Sequence, residues 1–202
     1  MLMPPYHGTG LKADDEGVVE HYAAIAEAAG IPIMVQDAPL SGVNLSIPLL
    51  VRLARQIEQV SYFKIEMPGT AAKLRTLIEA GGDYILGPFD GEESITLMAD
   101  LDAGATGTMD SALIPDLIKP VMTHYLAGRR DEAAAQYSLI LPAINYENHQ
   151  CGLRATKEAM VVGGVIRSAA VRHPLVPLHP ATCAGMLELL QELDPIVLRW
   201  GH

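Results

Sequence analysis

Short apolar runs alternate with amphipathic helical patterns through the first part of the chain. Apolar residues recur at helical spacing over 16–29, and Gly30 ends that pattern. The predicted strands, in chain order, are 1–3 (the end of a strand), 31–35, 60–66, 84–86 and 103–109. The predicted helices are 16–29, 47–57 capped by Ser46, 70–80 capped by Thr70, and 92–101. This alternation predicts the βα units of a parallel sheet.

After about residue 115 the pattern becomes helical throughout. Helices are predicted over 115–127, 130–141, 151–162 and 181–192, with no clear strand between them. The sequence therefore predicts an α/β domain over 1–128 and a C-terminal helical extension over 129–202.

The number of strands leaves two architectures open. A closed (β/α)₈ barrel needs eight strands and about 250 residues, whereas about five strands are predicted. A doubly wound open sheet could be built from five strands. However, no Gly-x-Gly-x-x-Gly follows the first predicted strand, so the sequence does not support a dinucleotide-binding site. The alternatives are an open sheet and the later part of a larger barrel.

Composition narrows the classes of partner and location. Of the 202 residues 50% are hydrophobic, and the net charge of −10 argues against a nucleic-acid or membrane partner. Cys151 and Cys183 have no metal-type spacing, so neither a disulfide framework nor a metal site is expected. The first residues lack the basic and apolar regions of a signal peptide, and a cytoplasmic protein is expected.

One predicted strand carries a lysine among apolar residues. Lys64 and Glu66 lie two positions apart and therefore point to the same face. Burial favours an uncharged amine, which is a nucleophile toward a ketone, and the nearby carboxylate can move protons at the adjacent carbon. The alternative is a Lys-Glu ion pair at a sheet edge, and these residues alone do not decide between the two.

The order of motifs resembles the pyruvate-aldolase superfamily that contains dihydrodipicolinate synthase and N-acetylneuraminate lyase. The matching strings are Pro4-Pro5-Tyr6 and residues 31–39, 62–66, 86–91 and 104–109. Within that superfamily, strings such as 57–66, 87–93 and 193–202 are similar to the 2-keto-3-deoxy-L-arabonate dehydratases. The resemblance implies that the chain is the later part, about strands 4–8, of a (β/α)₈ TIM barrel followed by a helical extension.

The resemblance also implies a reaction and a set of residues. Lys64 would form a Schiff base with a 2-keto-3-deoxy sugar acid, with Glu66 and Tyr6 as further catalytic residues. The expected substrate-binding residues are Gln36, Gly87, Thr108 and Met109. No cofactor is expected. The protein is expected to form a homo-oligomer.

Two departures from the superfamily pattern bear on that reaction. The tyrosine usual on the fifth strand is Gln36 here, and an amide cannot relay protons, which favours a dehydratase over an aldolase. The first three and a half βα units of the superfamily have no counterpart, which leaves the activity of this chain in doubt. An aldolase that releases pyruvate and a non-catalytic remnant or regulator are the alternatives.

Other polar residues are assigned structural roles. Asp90 is expected to cap the predicted 92–101 helix, because an aspartate before a helix accepts its free N–H groups. Glu147 and His149, between helices of the extension, are interpreted as a hydrogen-bonded pair rather than as metal ligands.

Overall fold

A computed structural model describes residues 1–8, 10–38 and 41–201, so Thr9, Pro39, Leu40 and His202 lie outside the described residues. Contacts divide the chain into two compact units, Met1–Met109 and Asp110–His202. Each unit is described by itself below.

The first unit is a parallel α/β structure, as predicted. Its strands are β1 Ile33–Asp37, β2 Val60–Ile65, β3 Leu86–Asp90 and β4 Gly107–Thr108, and they form one sheet in the order β1-β2-β3-β4 with every pair parallel. The helices between them are α1 Asp15–Ala29, α2 Ile47–Gln56, α3 Thr70–Gly81 and α4 Leu97–Asp102. Leu2 pairs in parallel with Val35, which agrees with the predicted strand end at 1–3.

The ends of the first two helices follow local chemistry. The Asp14 side chain accepts from Gly17 N at the start of α1, and Gly30 ends that helix in the left-handed conformation at φ 62. The Ser46 side chain caps α2 by accepting from Leu49 N. The predicted stop at Gly30 and start after Ser46 are confirmed, whereas the Asp14 cap was not predicted and places the start of α1 one residue earlier, at Asp15.

The Thr70 cap was a wrong prediction. Gly69, with φ 82, occupies the N-cap position of α3, and Thr70 is the first helical residue. The Thr70 hydroxyl donates to Met67 O at 2.5 Å instead of accepting from the helix. A glycine reaches this left-handed cap conformation without the strain that a threonine would carry.

The 84–91 region also differs from the prediction. Strand β3 covers Leu86–Asp90, later than the predicted 84–86, because Tyr84 ends a 3₁₀ turn at Gly82–Tyr84 and Leu86 is the first residue of the strand. Pairing with β2 and β4 on either side overrides the turn preference of Gly87 and Pro88, because strand formation depends on neighbouring strands more than on intrinsic propensity.

The helix predicted over 92–101 begins later, at Leu97. Glu93 and Ser94 have φ values of 51 and 66, in the left-handed region that a right-handed helix cannot contain. The following strand is also shorter than the predicted 103–109 and covers only Gly107–Thr108.

The second unit is helical, as predicted. It contains α5 Pro115–Leu126, α6 Arg130–Tyr146, α7 Arg154–Val162 and α8 Pro180–Leu193, with a π-helical turn at Glu147–Cys151 and a 3₁₀ turn at Ile196–Leu198. The predicted domain boundary after residue 128 stays a prediction, although compactness divides the chain after Met109 because α5 packs against α6. In the described part of the chain, no helix has both the length and the apolar character needed to cross a membrane.

Candidate active site

The predicted lysine lies at the carboxyl end of β2. Lys64 is in register with Gln36 of β1, and Glu66 follows β2 directly. Because side chains alternate along a strand and registered neighbours share a face, Gln36, Lys64 and Glu66 converge on one face of the sheet. Phe63 and Ile65 point to the other face and are fully buried.

The three polar side chains form a connected group. Lys64 Nζ lies 3.0 Å from Glu66 Oε2, and the Gln36 amide donates to the same oxygen at 2.8 Å. Lys64 is only 5% exposed, whereas the Glu66 side chain keeps 19% exposure. The carboxylate therefore connects a buried amine to the solvent side of the site.

The shared face of Lys64 and Glu66 is the one that strand alternation predicts. The contact of Gln36 with Glu66 was missed. The available signal was positional, since side chains at the carboxyl ends of adjacent parallel strands meet at one edge of the sheet.

A cleft of about 360 Å³ opens beside the carboxyl ends of β1 and β2. It is lined by Asp37 and Ala38, by the loop residues Gly42 to Asn44, and by Met67 and Pro68. This end of a parallel sheet is where α/β proteins bind small molecules. The side chains of Gln36, Lys64 and Glu66 are not part of the lining of the cleft, and Asp37, which is registered with Ile65, points to the other face of the sheet from Lys64.

A buried ion pair supports the loop at the cleft. Lys73 Nζ of α3 lies 2.6 Å from Asp37 Oδ2 and donates to Leu45 O at 2.7 Å. The side chains of Asp37 and Lys73 are 5% and 13% exposed. This pair was not predicted from the sequence. It connects the end of β1 and the loop after it to α3.

Tyr6 lies at the same edge of the sheet. It is 62% exposed, and its ring is next to Gly42 in the loop after β1. The structure thus places Tyr6 beside the cleft, with its ring against the loop rather than in the group formed by Gln36, Lys64 and Glu66.

The remaining predicted residues lie on β3 and β4. Gly87, at φ 48, is near the amino end of β3, so it lies at the opposite end of the strand from Lys64 and Glu66. The Thr108 hydroxyl donates to Asp90 Oδ2 at 2.6 Å, and Met109 N donates to Asp90 O at 3.1 Å. Thr108 is registered with Asp90, which is registered with Ile65, so its side chain faces away from Lys64.

The structural roles predicted for Asp90 and Glu147 differ from the ones that the structure shows. Asp90 Oδ2 accepts from Ser94 N at 3.1 Å in the turn before α4, so it holds a turn and caps no helix at 92. Glu147 accepts from the hydroxyls of Ser111 and Thr156, and burial raises its pKa against the effect of those bonds. Among the described residues, no three His, Cys, Asp or Glu side chains gather as a metal site.

Comparison with known proteins gives a consistent set of relatives. The sequence model of the dihydrodipicolinate synthetase family matches residues 1–192. The chain is 54% identical over 202 residues to L-2-keto-3-deoxyarabonate dehydratase of Azospirillum brasilense, covering all of this chain and 65% of that protein. It is 31% identical over 199 residues to 4-hydroxy-tetrahydrodipicolinate synthase 1 of Halalkalibacterium halodurans, covering 96% and 63%. The chain thus spans slightly less than two thirds of these relatives.

Solved structures of similar fold belong to the same group. Dihydrodipicolinate synthase from Rhodopseudomonas palustris superposes with a TM-score of 0.80 at 25% identity, over 94% of this chain and 64% of that one. The chloride-inhibited enzyme from Acinetobacter baumannii, complexed with pyruvate, gives a TM-score of 0.83 at 25% identity, over 96% and 65%.

Proposed function

Because the chain belongs to the dihydrodipicolinate synthetase family, we propose that it carries the Schiff-base centre of a lyase that dehydrates 2-keto-3-deoxy-L-arabonate to 2,5-dioxopentanoate. The observation that carries the proposal is the group in which Glu66 contacts both the buried Lys64 amine and the Gln36 amide. The 54% identity to the Azospirillum dehydratase supports the choice of substrate.

The first step is attack of the Lys64 amine on the C2 carbonyl of the keto-acid. The ammonium must lose a proton before it attacks, and Glu66 Oε2 is 3.0 Å away to accept it. Glu66 returns this proton to the hydroxyl of the carbinolamine, which leaves as water, so that an iminium joins Lys64 to C2 and Glu66 is again a carboxylate. The low exposure of Lys64 keeps bulk water from this bond.

The second step is elimination across C3 and C4. The iminium acidifies the C3 hydrogens, and the Glu66 carboxylate removes one to give an enamine. The enamine expels the C4 hydroxyl, which takes the proton that Glu66 has just removed from C3 and departs as water. Tautomerisation and hydrolysis of the iminium release 2,5-dioxopentanoate and free Lys64. The iminium is the electron sink, so these steps use no metal or organic cofactor.

The amide of Gln36 is consistent with a reaction in which Glu66 carries out the proton transfers. Gln36 has no titratable proton, so it orients Glu66 by donating to Oε2 and leaves the proton transfers to the carboxylate. A tyrosine at this position would offer a second acid, which an aldolase reaction uses. The Gln36 substitution is therefore the feature that favours dehydration.

Other residues have proposed roles that rest on their place at the sheet edge. Tyr6, beside the cleft, is proposed to act on protons at the mouth of the site. Thr108 and Met109 are proposed to contact the keto-acid through their backbone, since the Thr108 side chain faces the other way. The proposed substrate role of Gly87 has the weakest support, because Gly87 lies near the amino end of β3.

The fold and setting of the whole protein are also proposals. We propose that residues 1–128 are the later strands of a (β/α)₈ barrel, a reading that the parallel sheet and the similar solved structures support. The proposed ligand is a keto-acid, as in the pyruvate complex of the Acinetobacter enzyme. A cytoplasmic homo-oligomer is proposed; sedimentation of the purified protein tests the assembly.

Trapping the Schiff base tests the central claim. The protein is mixed with 2-keto-3-deoxy-L-arabonate and borohydride, and its intact mass is measured. A single reduced adduct on the peptide that contains Lys64 is expected, and it should persist in the control Lys119→Ala and disappear in Lys64→Ala. An adduct elsewhere would overturn the assignment of Lys64.

Product analysis separates dehydration from aldol cleavage. The dehydratase releases 2,5-dioxopentanoate and no pyruvate, whereas an aldolase releases pyruvate and an aldehyde. If this chain yields no adduct and a version extended to the length of the Azospirillum relative does, the chemistry stands and this chain alone is incompetent. The absence of an adduct in both removes the proposal.

A further inference from the structure

Two aspartates are completely buried behind the sheet of the first unit. Asp90 ends β3 and Asp100 lies in α4, and both have 0% exposure. Carboxyl groups are among the side chains that are rarely buried without a strong partner or a function. The steps proposed for Lys64 and Glu66 use neither aspartate.

Asp90 joins the carboxyl end of β3 to that of β4. Its Oδ2 accepts from the Thr108 hydroxyl at 2.6 Å and from Ser94 N at 3.1 Å. Ser94 Oγ lies 2.8 Å from Thr108 Oγ1, and since the Thr108 proton goes to Asp90, Ser94 is the donor in that bond. One carboxylate oxygen therefore holds a strand end and a turn together.

The turn that Asp90 holds is strained. Glu93 and Ser94 are consecutive non-glycine residues with φ values of 51 and 66. Such conformations are unfavourable for residues that carry a Cβ atom, and they persist where surrounding contacts over-determine them. The bond from Ser94 N to the buried carboxylate is such a contact.

The other carboxylate oxygen of each aspartate, Oδ1, is buried as well. The Thr96 hydroxyl donates to Asp100 Oδ2 at 2.6 Å, and Asp100 lies close enough to Asp90 for that carboxyl group to raise its pKa. Among the described residues no donor is paired with either Oδ1. Since an ionised carboxylate only accepts hydrogen bonds, a bond between the two groups needs one of them protonated.

The charges around Asp100 favour that proton. Burial raises the pKa of Asp100 to about 7, the Thr96 hydroxyl lowers it, and the negative charges of Asp90 and Glu92 raise it further. Asp90 comes from β3, and Glu92 comes from the turn that leads to α4. Both charged groups that act on Asp100 are acidic, so both favour its neutral form.

We propose that Asp90 and Asp100 are positioning residues that share one proton and thereby hold the backbone of Gly107–Met109 in place for the keto-acid. The connection to the site is short, because Asp90 follows Phe89, which is registered with both Lys64 and Gly107. Met109 N also donates to Asp90 O. The inference rests on the proposed function, in which this backbone contacts substrate.

The pH dependence of substrate affinity tests the pair. In the native protein, KM for 2-keto-3-deoxy-L-arabonate is expected to rise by about tenfold as pH passes above about 7, the loss typical of one charge-assisted hydrogen bond, while kcat changes much less. Asp100→Asn keeps a donor toward Asp90 that does not titrate, and it should remove the rise. Asp102→Asn, the same change at an exposed position of the same helix, should keep it. Asp90→Asn should raise KM at every pH.

Two readouts separate this inference from the reaction itself. Infrared spectra of the Glu147→Gln variant, which lacks the other buried carboxyl group with a raised pKa, should show below pH 7 the carbonyl stretch of a protonated buried carboxyl group, and adding Asp100→Asn should abolish it. If Lys64 forms its borohydride adduct but KM responds to pH equally in the native protein and Asp100→Asn, the positioning role is wrong and the proposed reaction stands. If no adduct forms on Lys64, the proposed reaction is wrong. If the infrared band is absent, the proposal that Asp90 and Asp100 share a proton is wrong, whatever the result with borohydride.

Discussion

At the scale of single residues, the site depends on Glu66 rather than on Lys64 alone. The amine can form an iminium with any accessible keto-acid, but the outcome depends on which group moves protons afterwards. Glu66 contacts both the amine and the Gln36 amide through one oxygen, which leaves its other oxygen for the substrate. In the proposed reaction, the chemistry of the iminium is therefore decided two residues away from the nucleophile.

Replacing this carboxylate should uncouple the two proposed steps. Glu66→Gln keeps the size and hydrogen-bonding capacity of the side chain but cannot take a proton, so kcat for dehydration should fall by about 10²- to 10⁴-fold. The reduced Schiff-base adduct should still form on Lys64. Parallel assays of adduct mass and product release measure both effects.

Glu58→Gln, an exposed change just before β2, provides the control and should behave as the native protein does. Full activity in Glu66→Gln would reduce Glu66 to an ion-pair partner of Lys64.

At the scale of elements, buried contacts between elements hold the loops that line the site. Asp37 at the end of β1 pairs with Lys73 of α3, and Lys73 also donates to Leu45 O in the loop before α2. Burial of Tyr22 and the negative charge of Asp37 both raise the pKa of Tyr22, whose hydroxyl donates to Leu2 O. The Asp37 carboxylate thus pairs with Lys73 of α3, which also holds the loop at Leu45, and it raises the pKa of Tyr22 in α1.

Removing the cation of this pair should destabilise the fold. Lys73→Met leaves Asp37 charged and buried, and breaking one partner of a buried pair costs about 3 kcal/mol. Urea unfolding should report this loss as a lower midpoint. Arg75→Met, on the exposed side of the same helix, should change the midpoint little. An equal midpoint for both variants would show that water already solvates Asp37.

In the second unit, a helix end packs closely on a turn. A Cβ atom added to Gly163, just after α7, would lie 1.8 Å from Val197 O in the 3₁₀ turn Ile196–Leu198. The obstacle is backbone, so it cannot move aside as a side chain could. Gly163→Ala should therefore cost about 3 kcal/mol or more of unfolding free energy, measured by thermal or urea unfolding.

Gly10→Ala gives the matched comparison, because a Cβ at Gly10 meets nothing within 4 Å. If both alanine variants melt together, the close approach of Gly163 to Val197 is absent in solution.

At the scale of the whole molecule, each compact unit contains a buried carboxyl group whose pKa is raised by burial. Burial first, and then acidic neighbours, raise the pKa of Asp100 to about 7, and burial raises that of Glu147. The units are Met1–Met109 and Asp110–His202, so the two groups are in different units. Folding of the first unit should therefore take up a proton near neutral pH, and the raised pKa of Glu147 favours proton uptake by the second unit as well.

Stability should accordingly fall as the solution becomes more alkaline. The ordinary pKa of Asp100 is 3.8 and its folded value is about 7, so the stabilisation from its proton is complete below about pH 4 and is lost as pH rises through about 7. Glu147 acts in the same sense. The double variant Asp100→Asn/Glu147→Gln should show a flatter dependence of the unfolding free energy on pH than the native protein. Parallel curves would mean that neither group binds an extra proton on folding.

Much of the first unit was predictable because its signals are local. Helix periodicity, the Ser46 cap and the stop at Gly30 depend on residues within one or two turns, and the structure confirms these boundaries. The misplaced β3 and the late start of α4 were not predictable in this way. The pairing of Leu86–Asp90 with two neighbours and the left-handed turn at Glu93 and Ser94 depend on residues distant in the chain.

By itself the sequence determined the βα alternation, the helical second half, and the shared face of Lys64 and Glu66. These follow from the period of a helix or strand, which is a property of consecutive residues. Only the tertiary structure brought Gln36 to Glu66, Lys73 to Asp37, and Thr108 and Asp100 to Asp90. Those contacts join different elements, and they form because the order and register of parallel strands decide which side chains meet at the sheet edge.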